Sequence, residues 1–192
     1  MSSQSSFVPF EITVCGIEEL HGHRDAGVTH ILSLLDPGWP KPEAFDMFGE
    51  HQRLDLRFHD IIEQLPGQQA PTEDDVAKLL AFGRELPKQE VHLLVHCHMG
   101  ISRSSAAMTL LLAQARPDQP AMAALAEVVR IRPHAWPNLR LMEFGDTQLG
   151  RKGELVAAAR ERYRYVVAKR PQLGQTMIEL GRSREVDSAN LI

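Results

Sequence analysis

The chain has 192 residues, 43% of them hydrophobic, and its 21 basic and 25 acidic side chains give a formal net charge of -4. That is enough apolar material for one substantial core and too little length for two large domains. The charge excludes a general binder of nucleic acid or of membrane surfaces, so any anion site must be local. No apolar run approaches the roughly 20 residues of a membrane span, and "MSSQSSFVPF" lacks the basic start and apolar stretch of a signal peptide. Cys15 and Cys97 are too few for a disulfide framework. The expectation is a cytoplasmic protein in which each thiol poses a chemical question.

In chain order, strand patterns fall at 10–15 ("FEITVC"), 30–35 ("HILSLL"), 53–58 ("RLDLRF") and 91–97 ("VHLLVHC"). The second and fourth are nearly continuous apolar runs, as in central strands covered on both faces. The third alternates and reads as an edge. Helical patterns separate them. One opens at Thr72 with Asp75 three residues on, a capping box, and continues through Val76, Leu79, Leu80 and Gly83. Another, at 104–115, is apolar almost all round and is predicted to be buried. Further helices are predicted over 120–131, 138–149 and 154–169, the last stopped by Pro171. The fold class is therefore α/β, a central and mostly parallel sheet of about four to five strands flanked by helices. Residues 1–9 read as an N-terminal extension and 171–192 as a polar C-terminal tail around the 10–170 domain.

Between the fourth strand and the buried helix lies "HCHMGISRS" (96–104). In open α/β sheets ligands bind beyond the carboxyl ends of strands. A tight loop over His98, Met99, Gly100, Ile101 and Ser102 would turn its N–H groups toward the helix N-terminus and make an anion cradle. The same dipoles, together with Arg103, favour a thiolate at Cys97. An Arg fork suits a tetrahedral oxyanion. The implied chemistry is attack of sulfur on phosphorus.

The stretch matches H-C-x-x-G-x-x-R-S and resembles the signature of the cysteine-dependent protein tyrosine phosphatases, most closely their small dual-specificity branch. The resemblance spans roughly residues 10–150 and includes a later Pro137-Asn138 pair. It implies a phosphatase domain over 10–170 and a phosphocysteine intermediate on Cys97. It also implies no metal, no cofactor, and a general acid on a loop a few dozen residues earlier. Asp60, in "RFHDI", stands just after a strand and 37 residues before Cys97. It is the first candidate acid; Asp36, closing "LSLLD", is the second. "PGQQAP" (66–71) reads as a mobile stretch that could carry Asp60 into place on binding. Ser104 would bond the Cys97 sulfur and ease its departure. His96 is support for the loop, and Asn138 either bonds near it or simply starts a helix. Arg132 could supply positive charge near the site, but the reading preferred is an exposed helix-end residue, and Cys15 reads as a small core residue rather than a redox partner of Cys97.

Rival readings are a zinc site, a non-catalytic phosphate- or phosphoprotein-binding module, and a phosphatase of a non-protein phosphomonoester. Zinc needs converging ligands, whereas His92, His96, Cys97 and His98 alternate along a strand. The expected partner is a phosphorylated protein or small phosphomonoester, with neither nucleic acid nor membrane. The sequence sets no oligomeric state. No Lys lies among residues 98–102 to meet extra phosphates, which disfavours a polyphosphorylated headgroup. Phosphotyrosine comes first, with phosphoserine and phosphothreonine as further substrates.

Overall fold

A computed structural model of the chain describes residues 7–87 and 90–190. Four strands, β1 (Glu11–Gly16), β2 (His30–Leu35), β3 (Gln52–Arg57) and β4 (His92–Cys97), form one sheet in the order β1-β4-β2-β3, with every pair parallel. The two apolar runs are the central strands. β3 is an edge, half-exposed along much of its length, and its Asp55 carboxylate pairs with Arg53 at 2.9 Å.

Five helices follow the predicted pattern: α1 (Glu73–Glu85), α2 (Arg103–Ala115), α3 (Ala121–Ile131), α4 (Leu139–Gln148) and α5 (Glu154–Lys169). Thr72 and Asp75 close the capping box at the start of α1, a device worth about 1 kcal/mol. Gly83 is present for packing, since a Cβ there would stand 2.5 Å from the Leu111 side chain of α2. α2 is buried from Arg103 to Ala113. It is the central post of the helical layer.

The alternation of β4 divides its side chains between the two faces of the sheet. Leu93, Val95 and Cys97 join the larger core under the helices, and Leu94 joins a smaller cluster with Cys15, Ile31 and Phe45. The reactive-loop strand thus delivers Cys97 to the helical side.

The expected tail is the main departure. Residues 171–190 form two helices, α6 (Pro171–Glu179) and α7 (Ser183–Asn190), folded back on α5. Pro171 does not merely stop α5; it occupies the first turn of α6, where its missing N–H is no loss. Met177 and Val186 enter the larger core. The polar residues that make the segment read as a tail include Arg182 and Glu185, which are buried against each other. Residues 1–6 of the expected N-terminal extension lie outside the described residues. Val8 is buried, and the Phe7 carbonyl accepts from Arg116 Nη1 at 2.8 Å, so this part belongs to the body. Among the described residues no helix is long and apolar enough to cross a membrane.

Candidate active site

The loop between β4 and α2 closes around Cys97 Sγ. The Gly100 N–H points at the sulfur at 3.2 Å and Ser104 Oγ lies 3.2 Å away, the contact expected of Ser104. Gly100 has φ +68°, and a Cβ there would lie 2.5–2.6 Å from the backbone of Cys15 and Gly16, so only glycine fits this crossing over β1. No side chain caps α2, whose N-cap is Ser102, leaving its first-turn amides to face the loop. Arg132 is not the exposed helix-end residue expected. Its Nε donates to Gly100 O at 2.9 Å and its Nη2 to Met99 O at 2.8 Å, while Nη1 donates to Glu19 at 2.8 Å. It clamps the loop from outside.

Arg103 is 3% exposed and held from one side only. Its Nη1 donates to Asp36 Oδ1 at 2.7 Å and to Phe58 O at 2.6 Å, while Nε is buried with no partner among the described residues. An unpaired N–H on a buried guanidinium is costly unless something arrives to accept it. The Nε–Nη2 edge is the one with which Arg grips an oxyanion by two hydrogen bonds. The rim is made by His98, whose ring meets Trp39 edge-on at 4.5 Å, and by Met99, which is 68% exposed. His98 is held neutral by burial and by the nearby Arg103 charge, both of which lower its proton affinity.

Asp60 does not stand free. Its Oδ1 accepts from Ser102 Oγ at 2.7 Å and from Asn138 Nδ2 at 2.9 Å, and Arg182 Nη1 lies 3.3 Å away. Burial alone would raise its proton affinity. Arg182 first, then Arg103 and the two hydrogen bonds, outweigh that and hold the carboxyl below its ordinary range. Asn138 takes both of the roles weighed for it: its Oδ1 accepts from Leu141 N and caps α4, while its Nδ2 reaches Asp60. The 66–71 stretch meets the segment that carries Asp60: His59 N donates to Gln69 O at 2.8 Å and Gln69 N donates to His59 Nδ1 at 2.9 Å.

No protein-family model matches the chain, and no curated protein matches it by sequence. Solved structures do. Human DUSP28 superposes with a TM-score of 0.57 at 18% identity, covering 77% of this chain and 93% of that one. The human tyrosine phosphatase-like serine/threonine/tyrosine-interacting protein gives 0.55 at 19%, covering 77% and 95%. Tk-PTP in its active form gives 0.52 at 20%, covering 74% and 92%. The chain has the dual-specificity protein tyrosine phosphatase fold. Its parallel sheet flanked by helices is the sheet of that fold.

Within this phosphatase fold, the remaining predicted residues divide by sheet face. His96 is fully buried beside Phe45, 5.4 Å between ring centroids, and burial pushes its proton affinity down to about 4. Its Nδ1 lies 3.4 Å from Cys97 O and its Nε2 has no partner among the described residues, so it orders the loop through packing more than through hydrogen bonds. Cys15 shares that face and lies across the sheet from Cys97. Among the described residues no three His, Cys, Asp or Glu side chains are placed to hold a metal. The sequence reading missed Arg182 altogether and, for Arg132, preferred the exposed reading over a place at the site. Arg132 lay in a segment already under scrutiny; nothing local marked Arg182, which sits 85 positions beyond Cys97.

Proposed function

We propose that the protein is a phosphomonoesterase of the protein phosphatase type, acting on phosphotyrosine first and without a metal. The observation that carries this reading is the buried Arg103, whose Nε has no partner among the described residues, beside a loop that already gives Cys97 Sγ two hydrogen-bond neighbours. The substrate phosphate would take the open Arg103 edge and the loop amides. Cys97 sulfur attacks phosphorus, the S–P bond forms, and the P–O bond to the leaving group breaks as that oxygen takes a proton from Asp60. Water then attacks the phosphocysteine and gives its proton to Asp60. The S–P bond breaks, Ser104 Oγ stabilises the departing sulfur, and phosphate leaves.

Asp60 is anionic in the free site, so it must gain its proton with substrate. A phosphate dianion on Arg103 neutralises one of the cations that hold Asp60 ionised and adds negative charge beside it, and both effects raise its proton affinity. Among the described residues the hydrogen bonds to Asp60 all fall on Oδ1, so Oδ2 is the oxygen left to carry that proton. The test is hydrolysis of p-nitrophenyl phosphate with a chelator present by wild type, Cys97→Ser, Asp60→Asn and Asp36→Asn. Turnover lost in Cys97→Ser and reduced ~100-fold or more in Asp60→Asn supports the reading. Turnover retained in Cys97→Ser overturns it. Loss in Asp36→Asn with Asp60→Asn unaffected moves the acid to Asp36. A binding-only role, as the name of the human interacting protein suggests for that neighbour, would appear as phosphate binding with no turnover by wild type.

A further inference from the structure

Arg182 lies in the turn between α6 and α7, is 4% exposed, and directs its guanidinium at three side chains. Its Nε donates to Glu185 Oε2 at 2.8 Å, and its Nη2 donates both to Glu185 Oε1 at 2.7 Å and to Ser102 Oγ at 2.9 Å. Its Nη1 faces Asp60 Oδ1 at 3.3 Å. Glu185 is itself fixed by Trp136 Nε1 at 2.6 Å and Leu139 N at 3.0 Å. Burial pushes the Glu185 carboxyl up, yet all four of these partners are N–H donors, which only the ionised form satisfies fully. The result is a rigid chain of polar contacts from α7 to the phosphate loop.

We infer that Arg182 is a positioning residue of the candidate site, and that the last two helices complete the site by fixing the Ser102 hydroxyl and the Asp60 carboxylate in one arrangement. The inference rests on the phosphatase reading above. Its logic is a donor count. Arginine can only donate, so Ser102 Oγ must accept from Arg182, and its single proton is then committed to Asp60 Oδ1. Asn138 donates to the same oxygen. Asp60 is thereby denied a proton on Oδ1 and keeps Oδ2 for chemistry. A plain Arg182–Glu185 ion pair would hold α7 in place without touching Ser102 or Asp60. Both of those side chains belong to the site, so the pair does more than tie down the chain end.

The charged and titratable groups around Asp60 are Arg103 from α2, Arg182 and Glu185 from the C-terminal turn, His98 from the loop and Tyr163 from α5. Of the cations, Arg182 acts on it most strongly. Loss of Arg182 therefore raises the proton affinity of Asp60 and frees the Ser102 hydroxyl to rotate. It leaves Arg103 and Cys97 untouched. The chemical step suffers; phosphate capture does not.

The experiment uses the full chain with Arg182→Gln and Arg182→Lys. It reads kcat and KM for p-nitrophenyl phosphate across pH, inorganic phosphate binding by calorimetry, and the Asp60 carboxyl titration by carbon NMR. For Arg182→Gln the expected result is kcat lower by about 10–100-fold with KM within about threefold, since a displaced catalytic group costs rate rather than affinity. The alkaline limb of kcat and the Asp60 titration should both move to higher pH. Arg182→Lys should recover part of kcat, having the charge without the fork. An unshifted Asp60 titration and unchanged kcat in folded Arg182→Gln overturn the inference and leave a purely structural tie. Should Arg182→Gln fail to fold, the same readouts on Arg182→Lys decide. If wild type turns over no aryl phosphate, the phosphatase reading has failed, and the NMR titration still shows whether Arg182 sets the state of Asp60.

Discussion

Asp36 Oδ1 sits 2.7 Å from Arg103 Nη1 and 3.5 Å from His98 Nε2, so the runner-up acid of the sequence occupies one side of the guanidinium that substrate needs. The pair orients Arg103. It also places a negative charge where a phosphate dianion must approach. Asp36→Asn keeps an acceptor for Nη1 and removes that charge. With the side chain 36% exposed, solvent reduces the repulsion to about 1 kcal/mol. The inhibition constant of inorganic phosphate should fall roughly fivefold in Asp36→Asn. A constant that stays the same or rises means that the carboxylate serves Arg103 only as an anchor.

Gly100→Ala tests the loop itself. The alanine must take a positive φ, at roughly 1–2 kcal/mol, and its methyl would press on the backbone of Cys15 and Gly16 at 2.5–2.6 Å. Those atoms belong to the pairing of β1 with β4, where Cys15 and Gly16 stand opposite His96 and Cys97, and cannot yield cheaply. The loop should give way instead, moving the amide that points at Cys97 Sγ. We expect a melting temperature lower by about 2–8 °C and kcat/KM down by about 100-fold. A loss of stability with full activity would mean that the Gly100 amide contributes nothing to the chemistry.

The sheet and five helices were legible because each carries a local signal: apolar runs for β2 and β4, alternation for β3, a capping box for α1, prolines around α3 to α5. Cys97, Ser104 and Arg103 were legible because one short loop holds them all. The position of Asp60 near the loop followed from its place after β3, but its state did not, since that depends on Arg182 arriving from the far end of the chain. α6 and α7 were misread for a related reason. Their anchoring side chains are polar, and a buried Arg–Glu pair looks like a solvated surface until its two halves are seen facing each other. Arg132 shows the same limit: an arginine at a helix end is ordinarily exposed, and its partners, the Met99 and Gly100 carbonyls and the Glu19 carboxylate, are distant in sequence.

Cys15 and Cys97 should differ sharply in reactivity. Burial, then the Glu19 charge, pushes the Cys15 thiol up to about 12, so it stays protonated throughout the neutral range. Iodoacetamide at pH 7, followed by peptide mapping, should label Cys97 and leave Cys15 unmodified, and Cys97→Ser should take up almost no label. Mild peroxide should yield no Cys15–Cys97 disulfide, because the two side chains sit in cores on opposite faces of the sheet. Recovery of that disulfide would show that β1 and β4 rearrange on oxidation.

His96 makes the fold acid-sensitive in a defined window. Burial lowers its proton affinity from 6.5 to about 4, so the unfolded chain binds a proton more readily than the native one. The stability from keeping it neutral is therefore fully present above pH 6.5. It is lost progressively as pH falls from there to about 4, a change on the order of 3 kcal/mol. His30 and His98 are lowered in the same direction and contribute to the slope. The comparison of wild type with His96→Leu isolates the His96 share, since leucine fills the site beside Phe45 and cannot titrate. Urea midpoints at pH 7 and pH 5 should fall further for wild type than for His96→Leu. Equal falls would mean that His96 gains solvent or a partner when it is protonated, and that the strand before the loop opens more easily than its burial implies.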